Sequence, residues 1–178
     1  MAGSQKRSMD IIVRQKRIFL VVFLLAFVTT AQAGQFKVMK VYDGDTIKVQ
    51  GHDIEIKVRL MGIDAPETSK KKGEAGQPYG QVAKKHLTKL VYGKMVDVKG
   101  YGIGRYNRIL GVIYLDGKNI NLEMVKAGLA EVYKGKMRKD FDIAPYLQAE
   151  QMVRTMQKGM WSVGTVYVSP RAWRKGKR

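Results

Sequence analysis

The 178-residue sequence has no cysteine and two histidines, His52 and His86. The first absence removes disulfide scaffolds, thiol nucleophiles, cysteine-ligated zinc and iron–sulfur clusters. The second argues against a multi-histidine metal centre, so a metal here would be held by oxygens. Acidic residues are also few: 15 Asp and Glu stand against 33 Lys and Arg, a net charge of +18. That excess favours a polyanionic partner, either nucleic acid or an anionic membrane surface. What is plentiful is apolar, at 45% of residues, enough for a buried core in a chain with room for one ordinary domain.

Residues 1–33 read as an address. Lys6, Arg7, Arg14, Lys16 and Arg17 form a basic start, Ile18 to Val28 is an unbroken apolar run of 11 residues, and Ala31-Gln32-Ala33 is a small-x-small cleavage signal. The run is short for a bilayer span, and the pattern fits a signal peptide cleaved after Ala33, with an uncleaved N-terminal anchor as the rival. Residues 34–178 keep 28 basic against 14 acidic residues, a net +14, so the positive charge belongs to the domain.

From Gln35 to Leu60 apolar residues alternate with charged ones, most cleanly in Ile54-Glu55-Ile56-Lys57-Val58-Arg59-Leu60, which predicts strands. Asp43-Gly44 and Gln50-Gly51 supply the turns. Residues 68–78 have no periodicity and read as an exposed loop. Tyr79 to Tyr92 switches to helical spacing, with Tyr79, Val82, Ala83, Leu87, Leu90 and Val91 on one side. Val96 and Val98 start a strand, Arg108 to Leu115 form another, Asn121 is placed to cap a short helix over 122–127, and Pro145 opens a last helix with the stripe Tyr146, Ala149, Val153, Met156 and Met160. No repeat occurs at a fixed period. Three strands, a helix, two strands and two helices predict an α+β fold: a five-stranded antiparallel barrel of the oligonucleotide-binding kind with about three peripheral helices over 34–168. Ser169 to Arg178 is a basic tail, expected to be solvated or frayed.

Two carboxylates stand at strand ends. Asp45 follows a turn glycine, Asp64 follows the strand that ends near Gly62, and Glu67 lies three residues further on. A hard cation such as Ca²⁺ takes carboxylates, a backbone carbonyl and water. Taken alone, Asp-Gly-Asp reads more plainly as an ordinary turn. Arg59 lies on the charged face of its strand, where its planar fork suits a phosphate or, more plainly, a surface ion pair with Glu55 or Asp53. Arg105 and Arg108 flank Tyr106-Asn107, a pattern that suits base stacking with phosphate contact, or an exposed turn. His86 reads as a packing or surface residue and His52 as part of a hairpin turn. Lys70-Lys71-Lys72 reads as a solvated loop that could assist polyanion binding by counterion release.

Together, Val41-Tyr42-Asp43-Gly44-Asp45-Thr46, Val58-Arg59-Leu60-Met61-Gly62-Ile63-Asp64-Ala65-Pro66-Glu67-Thr68 and Arg105-Tyr106-Asn107-Arg108 resemble the signature stretches of the staphylococcal nuclease-like (thermonuclease) family, and Gly159-Met160-Trp161 fits near the end. The resemblance covers about residues 36–162. It implies that Asp45 and Asp64 hold Ca²⁺ through carboxylates and Ala65 through its backbone carbonyl. It implies further that Glu67 is the general base, that Arg59 and Arg108 clamp phosphate, and that Tyr106 and Tyr133 lie around the nucleotide. The implied activity is endonucleolytic hydrolysis of DNA and RNA, single strands preferred, at the 5′-oxygen to leave 3′-phosphates. The N-terminal pattern implies an exported protein, periplasmic or secreted; no protein partner is implied, and a monomer is expected. Two positions depart from the family pattern: Gly104 replaces an aspartate and Asn107 a turn glycine, though Asn tolerates left-handed geometry. The rivals are a non-catalytic nucleic-acid-binding module, and a membrane-tethered adaptor whose basic face binds anionic lipid.

Overall fold

The computed structural model describes residues 35–51, 53–69 and 73–176. The expectations for 1–33, His52 and Lys70–Lys72 lie outside these residues. In chain order the strands are β1 (Gln35–Val41), β2 (Thr46–Gly51), β3 (Ile54–Leu60), β4 (Ile63–Asp64), β5 (Met95–Ile103), β6 (Ile109–Leu115), β7 (Lys118–Asn119) and β8 (Glu131–Val132). The helices are α1 (Gly80–Val91), α2 (Ile120–Lys126), α3 (Ala144–Thr155) and α4 (Pro170–Gly176), with 3₁₀ turns at Arg105–Asn107 and Gly159–Val166.

Strands pair in the order β3-β2-β1-β5-β6-β7, and a further ladder from β3 to β6 closes a five-stranded barrel. The expected barrel is therefore present, but it is mixed rather than purely antiparallel. Val58, Arg59 and Leu60 pair in parallel with Ile109, Leu110 and Gly111. Closing a sheet whose first three strands form a meander brings β3 against β6 running the same way, a direction that alternation within single strands does not encode. A separate two-stranded sheet pairs Ile63 with Val132 and Asp64 with Glu131.

Alternation explains the filling. Val38, Ile47, Val49, Val58, Leu60 and Ile113 are buried, as is Val112 on the opposite face of β6, each contributing roughly 1.5–3 kcal/mol relative to exposure. α1 covers one end with Gly80, Ala83, Leu87 and Val91, a spacing of three and four residues. Val82, expected on that stripe, is exposed. The cap of α2 is Asn119, whose side chain accepts from the Leu122 amide, rather than Asn121. Asn121 is buried instead: its Nδ2 donates to the carbonyls of Met61 (2.9 Å) and Gly111 (3.0 Å), and its Oδ1 accepts from the Ile113 amide. α3 ends at Thr155, so Met156 is exposed, while Met160 is buried from the following 3₁₀ turn. Over its described residues, the basic terminal segment expected to be solvated or frayed forms a helix. Ser169 Oγ accepts from the Ala172 amide and Pro170 opens α4, a serine cap followed by a first-turn proline.

Candidate active site

The Asp-Gly-Asp turn is built to bring two loops together. Asp43 Oδ1 accepts the Asp45 amide (3.1 Å), and Asp45's carbonyl accepts the Leu60 amide (2.8 Å), tying the turn to the end of β3. A Cβ on Gly44 would lie 2.7 Å from the Cβ atoms of both Ala65 and Ala83, so only glycine lets the turn, the residue after β4 and α1 touch. Across this contact the Ala65 amide donates to Asp45 Oδ2 (2.8 Å), and Thr46 Oγ1 donates to Asp45 Oδ1 (3.0 Å).

Arg59 joins the two carboxylates. Its Nη1 contacts Asp45 Oδ2, and its Nη2 donates to Asp64 Oδ1 at 2.8 Å. Asp45, Asp64 and most of Arg59 are buried, so the alternative of a surface pair with Glu55 or Asp53 gives way. Glu55 pairs with Lys48 instead (2.7 Å). Burial also pushes the Asp43 carboxyl above its ordinary range, with the charges of Arg59 and Arg108 opposing that shift.

Glu67 is positioned by its backbone. Its amide donates to Gln77 Oε1 (3.1 Å), and its carbonyl accepts the Gln77 amide (2.9 Å). Arg108 stands beside the cluster, its Nε donating to the Arg105 carbonyl (3.2 Å) and its charge acting on Asp43 and Arg59. The turn before it survives both departures. Gly104's amide donates to the Arg108 carbonyl (2.7 Å), and Tyr106 and Asn107 both take left-handed backbone, with φ of 60° and 53°. Tyr106 is 85% exposed at the tip of this turn, its ring centroid 5.6 Å from the Arg108 guanidinium carbon. Tyr133 is exposed just beyond β8, its amide held by the Gly62 carbonyl (2.9 Å).

Against this geometry stand the comparisons. Residues 57–163 match the family model described as staphylococcal nuclease homologue. The chain belongs to the staphylococcal nuclease family. Membership makes it a hydrolase of the nuclease class, with nucleic acid as substrate. It is 37% identical over 169 residues to an uncharacterized endonuclease of Haemophilus influenzae, covering 92% of this chain and 88% of that one. It is 38% identical over 164 residues to an uncharacterized endonuclease of Escherichia coli, covering 92% and 99%. A probable endonuclease, LCL3, of Komagataella phaffii is 38% identical over 114 residues, 61% of this chain and half of that one.

The staphylococcal nuclease family is typically metal-dependent, and the donor set here suits a hard cation. Asp45 and Asp64 offer only acceptor oxygens, a main-chain carbonyl lies at Ala65, and neither histidine nor cysteine stands among them. Among the described residues no group of three or more His, Cys, Asp or Glu is arranged to hold a metal ion by itself. A cation here would take its remaining ligands from water and substrate, as oxygen-ligated sites do.

Residue patterns did not reveal three other participants. Gln77 is buried beneath Glu67. Glu131, opposite Asp64, is buried with Tyr167 Oη donating to it at 2.7 Å, and burial raises its carboxyl above the ordinary range. Arg174 reaches the site from α4: its Nη1 donates to Asp64 Oδ1 (3.0 Å) and Glu67 Oε1 (2.7 Å), and its Nη2 to Asp64 Oδ2 (2.7 Å). The Ser169-Pro170 pair was the available signal that this tail would turn into a helix.

Proposed function

We propose that this nuclease is an exported, Ca²⁺-dependent endonuclease that hydrolyses DNA and RNA, single strands preferred, to 3′-phosphate and 5′-hydroxyl ends. The observation that carries the reading is the Arg59 fork spanning Asp45 and Asp64 with Glu67 alongside. Two buried carboxylates held together beside a third acidic group fit a divalent cation far better than they fit a passive binding surface.

A phosphodiester is an anion that repels a hydroxide-like nucleophile until its charge is met. Arg59 and Arg108 bind its non-bridging oxygens and hold more tightly the extra charge of the transition state. Glu67 takes a proton from the attacking water, the new P–O bond forms, and the 5′-oxygen leaves to be protonated as a hydroxyl. Asp45, Asp64 and the Ala65 carbonyl would hold Ca²⁺, which would supply further charge neutralisation at the phosphate. Tyr106, exposed and beside Arg108, offers a ring on which an unpaired base stacks. All these groups come from one chain, which supports a monomer. The basic start, apolar run and Ala31-Gln32-Ala33 support export to the periplasm or beyond.

The test is cleavage of single-stranded DNA by the full chain with Ca²⁺ and with chelator, beside Arg59→Ala and Glu67→Ala. Ca²⁺-dependent cleavage that collapses in both variants supports the reading. Glu67→Ala should lower turnover roughly 10²–10⁴-fold while DNA affinity holds; equal losses in both remove the base assignment. Salt-sensitive binding without cleavage would favour the non-catalytic module. N-terminal sequencing of the exported protein tests cleavage after Ala33.

A further inference from the structure

The seven-residue helix α4 delivers Arg174 to the two acidic groups at the centre of the site. Both oxygens of Asp64 are taken. Oδ2 accepts from Arg174 Nη2, while Oδ1 accepts from Arg174 Nη1 and from Arg59 Nη2. The carboxylate is 2% exposed, which leaves no open side for a cation. The same guanidinium nitrogen that binds Asp64 Oδ1 also binds Glu67 Oε1, so one side chain covers a proposed metal ligand and the proposed base together.

The arm is anchored apart from its arginine. Gln77 Nε2 donates to the Val168 carbonyl (2.7 Å), and the Ser169 side chain caps the helix. Trp173 lines one apolar cleft with Pro66, Tyr79, Met160 and Tyr167. Arg174 therefore arrives pre-positioned, with little conformational entropy left to lose. Its own side chain remains 39% exposed, giving it a route outward.

We propose that α4 is a built-in occupant of the cation site: Arg174 holds Asp64 and Glu67 in the metal-free protein, and a divalent cation binds by displacing it. The inference rests on the reading of the site given under Proposed function. A guanidinium carries one positive charge and a divalent cation two, so the exchange favours the cation once its concentration crosses a threshold that Arg174 sets. The tail raises the metal concentration at which the enzyme switches on.

The test uses the chelator-stripped full chain, with Ca²⁺ alone as probe. Calorimetric titration of wild type, Arg174→Gln and Arg174→Lys should show Ca²⁺ binding about tenfold tighter in the Gln variant, with Lys between. In unaltered protein, Ca²⁺ should speed amide hydrogen exchange across 172–175, a readout that needs neither substitution nor substrate. Equal Ca²⁺ affinity in wild type and Arg174→Gln, or exchange in α4 that is unchanged or slowed by bound Ca²⁺, overturns the proposal while leaving the nuclease reading intact. No Ca²⁺ binding in any of the proteins, together with no cleavage, overturns both.

Discussion

Gln77 and Glu67 hold each other by reciprocal hydrogen bonds: the Glu67 amide donates to Gln77 Oε1 at 3.1 Å, and the Gln77 amide donates to the Glu67 carbonyl at 2.9 Å. The segment on which the proposed base sits has no helix or strand of its own around Glu67. A buried side chain ten residues further along does the work of one.

Gln77→Ala should therefore lower turnover by at least about tenfold, through misplacement of the base, and cost roughly 1–3 kcal/mol of stability from the unpaired buried amide. Steady-state cleavage and thermal melting read the two effects. A melting shift with turnover unchanged would make Gln77 purely structural.

Gly80 tests the same segment from the other side. A Cβ there would lie 2.3 Å from the Glu67 carbonyl oxygen and 3.2 Å from the Thr68 amide nitrogen. Alanine at a helical glycine ordinarily adds up to about 1 kcal/mol of stability. Here Gly80→Ala should give no such gain and should lower turnover on the order of 10²-fold by pushing Glu67 aside.

Glu131 gives a pH signature. Burial holds its carboxyl above the ordinary glutamate range, the Tyr167 hydroxyl and Lys134 opposing. The folded protein thus binds this proton more readily than the unfolded chain. The resulting stabilisation is complete below the unfolded value and is lost as pH rises through the raised folded one. Glu131→Gln, which mimics the protonated form, should melt with wild type at about pH 4 and above it by a margin that grows toward about pH 8. An equal shift at both would show that charge is not the cause.

Asn121 joins α2 to the barrel through three buried hydrogen bonds. Asn121→Ala leaves the Ile113 amide and two carbonyls without this partner and should cost on the order of 3 kcal/mol in denaturant unfolding. Asn121→Asp should cost as much or more, since its charge has no cation among these three contacts.

The sequence was most readable where one face of an element is wet. Alternation in Ile54–Leu60 and the stripe Ala83, Leu87, Val91 marked β3 and α1 because the core selects those periods. The carboxylate–arginine cluster was legible through the family's signature stretches, since its groups taken singly read as a turn and a surface ion pair. Strand direction was not: the parallel seam between β3 and β6 depends on barrel closure, which leaves no mark on local alternation. Asn121 was expected to cap α2, but its packing against the Gly111 carbonyl leaves that role to Asn119. Arg174 was hidden because its partners lie 107 and 110 residues away. In a run of basic residues nothing distinguishes the one that turns inward.

The seam between β3 and β6 also orders events in time. Val58 meets Ile109 and Leu60 meets Gly111, positions some fifty residues apart, whereas β1, β2 and β3 pair through short turns. Contacts so distant along the chain, like those of β1 with β5, carry more loop-closure entropy than the hairpins and belong to the slow part of folding. Arg59 lies within the seam and Arg108 immediately before it. The two arginines proposed to clamp phosphate come to the same end of the barrel only when the ring shuts.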